Sequence, residues 1–254
     1  MNNLFDLSGK KAIVIGGAGD LGKAMLRGLV EAGAEAVVIT RGEKAAKTAA
    51  EFQEAGFAVH GVMADITDRQ QVKDSFDQAV EILGGRIDIM LNSAGVQRRH
   101  KCEVFPVEDW DLIIETNLNS LFLYCQLAGR HMIENGIHGK IINIASMLSF
   151  FGGYTVPAYA ASKGGVAQLT KALSNEWMSY GINVNAIAPG YMDTALNVNL
   201  VNDPVRSKEI LDRIPARRWG TGDDLKGIAV FLASEASNYV SGTIIPVDGG
   251  YLGR

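Results

Sequence analysis

The sequence contains few of the residues that mark secreted, metal-binding or membrane proteins. Only two cysteines, Cys102 and Cys125, and four histidines occur among its 254 residues. The cysteines lie far apart and neither has a histidine at metal-site spacing, so we expect reduced thiols and no metal site. Residues 1–6 lack the basic and then apolar pattern of a signal peptide, and no apolar run approaches the length of a membrane span. These absences predict a cytoplasmic protein.

An excess of positive charge is also absent. The formal net charge is −4, which argues against a nucleic-acid or membrane partner held by electrostatic attraction. The basic cluster at residues 98–101 is too short to change this expectation. With 47% hydrophobic content over 254 residues, the chain can bury a substantial core, and we expect one domain that spans residues 1–254.

Short apolar runs alternate with longer helical stretches along the chain. Predicted strands cover residues 11–15, 36–39, 58–63, 87–91, 140–145 and 183–188, and predicted helices cover residues 23–32, 43–55, 69–83, 108–135 and 157–180. Strands that alternate with helices in this way form right-handed βαβ units. The pattern predicts a single-domain α/β fold, a Rossmann-like doubly wound parallel sheet with helices on both faces. Ligands of such sheets bind beyond the carboxyl ends of the strands.

The first predicted strand runs directly into a glycine-rich turn. Gly16, Gly17, Gly19 and Gly22 lie between this strand and a helix. Glycines let the backbone approach a pyrophosphate, whose charge is then held by free N–H groups and the helix dipole. A tight strand-to-helix turn also needs glycine without any ligand. The position after the first strand of a long α/β chain favours a dinucleotide site.

A tyrosine and a lysine form a second motif. Tyr159 and Lys163 share one face of a predicted helix because they are one turn apart. A nearby ammonium lowers the pKa of a phenol, so Tyr159 is a candidate to exchange a proton with a substrate hydroxyl. Ser146 follows the strand at 140–145 and can hydrogen-bond the same substrate oxygen. The same spacing also occurs in ordinary pairs on a helix surface, so the neighbouring motifs must decide between the two interpretations.

Together these motifs resemble the short-chain dehydrogenase/reductase family over residues 7–250. The resemblance implies an oxidoreductase that moves a hydride between a nicotinamide cofactor and a hydroxyl or ketone. It implies catalytic roles for Asn117, Ser146, Tyr159 and Lys163. With the glycine turn and the residue after the second strand, the candidate cofactor-binding residues are Gly16, Gly17, Gly19, Asp20, Leu21, Gly22, Arg41, Asp65, Ile66, Asn92, Ala94, Gly95, Tyr159, Lys163, Pro189, Gly190 and Thr194.

Two departures from the family pattern concern the cofactor. Asp20 replaces the middle glycine of the family's glycine frame and would add negative charge near a pyrophosphate, although Gly17, Gly19 and Gly22 also fit a shifted frame. The second strand ends in Thr40 and Arg41, where an NAD enzyme usually carries a carboxylate. Arg41 can hold a 2′-phosphate, which favours NADP(H) over NAD(H). The alternative is that Arg41 is a solvated charge and the backbone holds the ribose.

Residues 190–222, hereafter the 190–222 segment, form the longest predicted irregular stretch. A loop of this length is usually a lid or a binding element. Arg217 in this segment, together with Arg98 and His100 after the fourth strand, predicts a rim of hydrogen-bond donors that suits a hydroxylated or carboxylated substrate. The alternative is that these side chains are solvated or bridge subunits.

Three stretches, at residues 141–150, 183–192 and 210–220, resemble the sugar-acid branch of the family. Members of this branch act on gluconate and on its deoxy and keto derivatives. The resemblance implies a small-molecule sugar-acid substrate and a homotetramer. The branch is NAD-linked, so the choice between NAD(H) and NADP(H) stays open. Two other functions also stay open: a reductase for another carbonyl compound, and a non-catalytic dinucleotide-binding regulatory protein on the same fold.

Overall fold

The computed structural model describes residues 3–253, apart from the side chain of Leu196. The strands within these residues are β1 (Lys11–Ile15), β2 (Glu35–Thr40), β3 (Val59–Met63), β4 (Ile89–Asn92), β5 (Lys140–Ile144), β6 (Asn183–Pro189) and β7 (Ile244–Val247). All seven are parallel and form one sheet in the order β3-β2-β1-β4-β5-β6-β7. The predicted doubly wound parallel sheet is therefore confirmed.

Helices cover both faces of the sheet. They are α1 (Asp20–Glu31), α2 (Lys44–Glu54), α3 (Arg69–Ile82), α4 (Val107–Ile114), α5 (Ser120–Glu134), α6 (Pro157–Trp177), α7 (Val198–Val201), α8 (Pro204–Arg213) and α9 (Lys226–Ala233). One buried cluster joins the sheet to α3, α5 and α6, and a second joins it to α1, α2 and α9. Because both faces are covered, the central strands read as continuous apolar runs rather than as alternating ones.

The structure differs from the predicted elements in three places. The predicted helix at 108–135 is divided by a π-helical turn at Glu115–Asn119. The 190–222 segment is not irregular, because it contains α7 and α8. Asp203 caps α8 by accepting hydrogen bonds from the backbone N–H groups of Val205 and Arg206, and Pro204 occupies the first turn. The sequence prediction also did not include α9 and β7.

The strand order reverses between β1 and β4, which is where open α/β sheets bind their ligands. Gly16 follows β1 and Ser93 follows β4, so the loops on either side of this crossover lie at the carboxyl edge of the sheet. Ser146 and Gly190 follow β5 and β6 at the same edge. Within residues 3–253, no helix is long and apolar enough to cross a membrane.

Candidate active site

Two glycines shape the loop that follows β1. Gly16 has φ +76°, and a Cβ at this position would lie 2.7 Å from the backbone nitrogen of Ala94. A side chain on Gly22 would collide with the carbonyl oxygen of Gly16. Only glycine therefore lets the loop touch both the segment after β4 and the first turn of α1.

This loop forms one wall of a cleft of about 270 Å³, hereafter the glycine-loop cleft. No side chain caps the amino terminus of α1, so backbone N–H groups in its first turn are available to an anion. The lining includes the predicted residues Gly16, Gly19, Arg41, Asp65, Ile66, Ala94 and Gly95. A tightly turned loop before an uncapped twelve-residue helix fits the diphosphate of a dinucleotide.

Several other predicted cofactor residues do not line this cleft. A Cβ on Gly17 would lie 3.0 Å from the side chain of Val14, so this glycine faces the core, and Leu21 packs partly buried against the same core. Asn92 is 3% exposed, and its amide nitrogen donates to the Asn143 side chain at 2.9 Å. Asn92 therefore joins β4 to β5. It can affect a cofactor only indirectly, by holding the end of β4 in place.

Two cations line the glycine-loop cleft, one directly after β2 and one at the start of α2. Arg41 and Lys44 line it beside Thr40 and Asp65. The carboxylate of Asp65 accepts hydrogen bonds from the backbone and hydroxyl of Thr67 at 3.0 and 2.8 Å. These bonds, assisted by the charge of Arg41, lower the pKa of Asp65. Lys44 was absent from the predicted site, although its position in the first turn of α2 places it one turn beyond Arg41.

Asn117 lies in the π-helical turn between α4 and α5 and is fully buried. Its side-chain oxygen accepts from the Val96 backbone N–H at 2.8 Å, and its amide donates to the Val96 carbonyl at 3.0 Å. A second donation reaches the Ser162 hydroxyl at 3.2 Å. Asn117 thus fixes the loop after β4 against α6, the helix that carries Tyr159.

The structure brings Ser146 and Tyr159 to the same cleft. Ser146 is 8% exposed at the end of β5, and its side chain lies beside the Tyr159 hydroxyl in the same cleft. Burial raises the pKa of Tyr159, while the nearby Ser146 hydroxyl and the charge of Arg99 oppose that increase. The phenol is therefore protonated at neutral pH and can donate to a substrate oxygen.

The placement of Lys163 differs from the predicted one. Its ammonium donates to the Ile144 carbonyl at 2.6 Å and lies 5.7 Å from the centroid of the Tyr159 ring. Lys163 is not among the causes that shift the Tyr159 pKa, and burial lowers its own pKa to about 8. The prediction that Lys163 lowers the phenol's pKa is wrong for this arrangement, because the ammonium is held by β5 beside the ring. Gly95 packs against both Lys163 and Asn117.

Ser146 and Tyr159 open into a second cleft of about 390 Å³, hereafter the Ser146–Tyr159 cleft. Its walls come from the loop after β5, from Gly190 and Tyr191 after β6, and from α8. Three arginines line it: Arg99, Arg206 and Arg213. Arg99 forms no ion pair with a carboxylate among residues 3–253, and partial burial lowers the pKa of its guanidinium.

Of the predicted substrate residues, Ser146 lines this cleft, whereas Arg98, His100 and Arg217 lie outside it. Arg98 lines the glycine-loop cleft, 3.6 Å from an Asp109 oxygen. His100 contacts the other oxygen of Asp109 at 2.6 Å and packs edge-on against Phe105. Arg217 hydrogen-bonds the Asp212 carbonyl at 3.2 Å on the surface. Arg99, Arg206 and Arg213 were not among the predicted substrate residues. Arg99 lies in the basic cluster at residues 98–101, and the other two lie in the 190–222 segment.

Asp20 connects the two clefts. Its carboxylate accepts a hydrogen bond of 2.7 Å from the backbone N–H of Ala195, the residue after Thr194. Pro189 ends β6, and a Cβ on Gly190 would lie 2.6 Å from the Cα of Asp248, beyond the end of β7. The 190–222 segment therefore starts from a tightly packed turn and is attached to the glycine loop by Asp20.

Comparison with known proteins agrees with this geometry. A family model described as enoyl-(acyl carrier protein) reductase matches residues 16–252. The 2-dehydro-3-deoxy-D-gluconate 5-dehydrogenase of Bacillus subtilis is 48% identical over 100% of this chain and 99% of its own. The chain belongs to the short-chain dehydrogenase/reductase family. Membership in this family makes it an NAD(P)-dependent oxidoreductase that acts on CH–OH groups.

Two solved structures are also similar over the full chain. One is an Agrobacterium tumefaciens protein, proposed to be a 2-deoxy-D-gluconate 3-dehydrogenase and solved with NADP. It is 45% identical, with a TM-score of 0.93 and complete coverage of both chains. The other is a gluconate 5-dehydrogenase from Burkholderia cenocepacia in complex with NADP and tartrate. It is 43% identical, with a TM-score of 0.95 and coverage of 99% of this chain and 98% of that one.

Proposed function

We propose that this short-chain dehydrogenase/reductase interconverts a hydroxyl and a ketone on a six-carbon sugar acid, as a 2-dehydro-3-deoxy-D-gluconate 5-dehydrogenase. One observation carries the proposal: Ser146 and Tyr159 line the same cleft as Arg99, Arg206 and Arg213. A cleft that joins a proton donor to three guanidinium groups suits a substrate with a carboxylate at one end and a reacting oxygen at the other.

The proton chemistry follows from the placement of the side chains. When bound, the nicotinamide supplies the acceptor or donor of the hydride. Tyr159 gives its proton to the ketone oxygen in reduction and takes it back from the hydroxyl in oxidation. Ser146 hydrogen-bonds the same oxygen and holds it near the phenol. Because the pKa of Tyr159 is raised, we expect reduction to proceed at neutral pH and oxidation to increase as the pH rises.

Asn117 and Lys163 support the site without taking part in the proton exchange. Asn117 fixes the loop that carries Gly95, and Lys163 is anchored on the Ile144 carbonyl. An ammonium has three N–H donors, so Lys163 has donors beyond the bond to Ile144. In our proposal they bind the nicotinamide ribose, which Gly95 and the glycine-loop cleft bring close to it.

We propose that NADP(H) is preferred over NAD(H). Arg41 and Lys44 both line the glycine-loop cleft, and in our proposal the 2′ position of the ribose lies beside them. Two cations favour a phosphate there, and the NADP found in two similar structures supports the same choice. The other candidate cofactor residues that line this cleft belong to the same proposal: Gly16, Gly19, Asp65, Ile66, Ala94 and Gly95.

The experiment is a panel of sugar acids and neutral ketones assayed by nicotinamide absorbance with both cofactors. The panel contains 5-ketogluconate, a 2,5-diketo-3-deoxygluconate and a neutral six-carbon ketose. We expect the diketo-deoxy acid to have the highest kcat/KM. A higher value for 5-ketogluconate would assign the chain to the gluconate 5-dehydrogenases, and equal values for acid and ketose would overturn the sugar-acid class. Absence of turnover with full cofactor binding would favour a non-catalytic regulatory protein.

The proposal extends to the assembly. As in the family it resembles, we propose that the chain is a single domain over residues 1–254 and a cytoplasmic homotetramer. Exposed apolar side chains on α4 and α5, including Val107, Trp110 and Phe122, support association between copies. Light scattering after gel filtration measures the mass directly, and a monomer at micromolar concentration would contradict this part.

A further inference from the structure

A third cleft lies at the opposite edge of the sheet from the candidate active site. Its volume is about 570 Å³, and it lies at the amino ends of β4, β5 and β6. A five-residue strand such as β5 separates this edge from Ser146, a distance of roughly 16 Å. Lys10, Arg86, Asp88, His138 and Lys140 are among its lining residues. Hereafter it is the Lys140 cleft.

Lys140 is the unusual group in this cleft. The residue is 7% exposed, although lysine is almost never buried without a partner of opposite charge. Its ammonium donates to the side-chain oxygens of Asn183 at 2.9 Å and Asn238 at 2.7 Å. Both acceptors are neutral amides. Among residues 3–253 no carboxylate lies within ion-pair distance of this nitrogen, and burial lowers the pKa of Lys140 to about 8.

The other charges around the Lys140 cleft do not neutralise it. The carboxylate of Asp88 accepts a hydrogen bond of 2.6 Å from the Arg86 guanidinium and one of 3.0 Å from the Lys11 backbone N–H. Glu235 is exposed and acts on Lys140 only through its more distant charge. Lys10 forms no ion pair within the described part of the chain. The cleft therefore holds more cations than carboxylates.

We propose that the Lys140 cleft binds a small anion through an oxyanion head group, either a carboxylate or a phosphate. A buried ammonium is costly without a counter-charge. Two of its three N–H donors are used by the asparagines, which leaves one for a ligand. Lys10 and His138 lie in the same cleft and supply further donors to the anion. Because the cleft is at the far edge of the sheet, this ligand is not the substrate of the dehydrogenase reaction.

The first test is local and uses the unaltered protein. Trace acetylation with acetic anhydride near pH 8, followed by peptide mass spectrometry, reports how much neutral, accessible amine Lys140 presents. We expect either inorganic phosphate or D-gluconate to reduce acetylation of Lys140 by about tenfold at about 10 mM, with a Kd of about 1 mM. Lys171, an exposed lysine of α6, is the internal control and stays unchanged.

The two probes distinguish the sources of the head group. Protection by phosphate alone indicates a phosphorylated ligand, and protection by gluconate alone indicates a carboxylate. If the site recognises only negative charge, both phosphate and gluconate protect Lys140. If neither probe protects Lys140, the proposal is wrong, and Lys140 has only a structural role between β5 and β6.

A second test measures binding across variants. The anion that protects Lys140 should raise the melting temperature of the wild type, since a ligand of the folded state stabilises it. Lys140→Gln should lose this increase, whereas Lys171→Gln should retain it. If Lys140→Gln keeps the wild-type response, the anion binds elsewhere and the proposal is wrong. Should Lys140→Gln fail to fold, the acetylation experiment still decides.

Discussion

The glycine-loop cleft and the Ser146–Tyr159 cleft are neighbours at one edge of the sheet, but they are built differently. The first is formed by backbone that touches backbone, as where Gly16 meets Ala94. The second is closed by the side chains of α8, which packs through a small cluster around Ile210, Ile214 and Tyr251. We infer that cofactor binding is fixed by the sheet, while substrate choice depends on a surface helix that can vary independently.

Tyr159 and Ser146 lie between the part of the site that the sheet forms and the part that α8 closes. They belong to α6 and to the end of β5, yet they line the cleft that α8 closes. The chemical step should therefore be separable from the recognition of the substrate. Substitutions in the two regions test this separation.

The largest effect should follow from removing the phenolic hydroxyl. Tyr159→Phe leaves the ring in place but removes the group that exchanges the proton. We expect kcat to fall by about 10²-fold or more, with cofactor affinity nearly unchanged. Steady-state rates and fluorescence titration of the nicotinamide measure the two quantities. Ser146→Ala should reduce kcat less, and near-wild-type turnover of Tyr159→Phe would refute the assignment.

A smaller effect, confined to recognition, should follow from neutralising Arg99. Arg99→Met removes a guanidinium that has no carboxylate partner in residues 3–253. We expect KM for a sugar acid to rise about 10- to 100-fold while a neutral ketose of similar size is spared. Arg217→Met is the matched control, because Arg217 contacts Asp212 on the surface. An equal loss on acid and ketose would show that Arg99 does not bind a carboxylate.

The same contrast explains what the sequence could and could not predict. Its pattern locates β1 at the residues observed, because a strand buried on both faces is a continuous apolar run. The glycine turn, Ser146 and the Tyr159 helix follow such strands, so their convergence at one edge could be predicted. The fold and the glycine-loop cleft could therefore be predicted from local sequence patterns.

The substrate residues could not be assigned because adjacent side chains point in opposite directions. Successive residues of an extended segment face opposite sides, so Arg98 enters the glycine-loop cleft and Arg99 the Ser146–Tyr159 cleft. The spacing of residues in the sequence does not determine which cleft Arg98 enters and which cleft Arg99 enters. The direction of the Lys163 ammonium likewise depends on its contact with the Ile144 carbonyl, which lies nineteen residues away.

The third prediction concerns the ribose end of the glycine-loop cleft. Arg41→Asp replaces a cation with an anion where a 2′-phosphate would lie. We expect the ratio of kcat/KM for NADP(H) to that for NAD(H) to fall about tenfold or more. Lys44→Ala should reduce the ratio less, and Lys47→Ala, outside the cleft in the same helix, is the control. If kcat/KM of the wild-type enzyme is much higher with NADH than with NADPH, the proposed role of Arg41 is wrong.

The smallest effect should come from the hydrogen bond between the two clefts. Asp20→Gly restores the residue that the family pattern has and removes the acceptor for the Ala195 N–H, whereas Asp20→Asn removes the charge and keeps an acceptor. If the bond holds the 190–222 segment in place, Asp20→Gly should raise KM for the sugar acid by about three- to tenfold. Asp20→Asn keeps an acceptor, so its KM should stay close to that of the wild type. Removing the negative charge near the diphosphate should make both variants bind the cofactor somewhat more tightly. Substrate KM and cofactor Kd, measured separately, distinguish these effects. An unchanged KM in both variants would show that the two clefts are not coupled through Asp20, and that other contacts, such as the packing of α8 on Tyr251, position the segment.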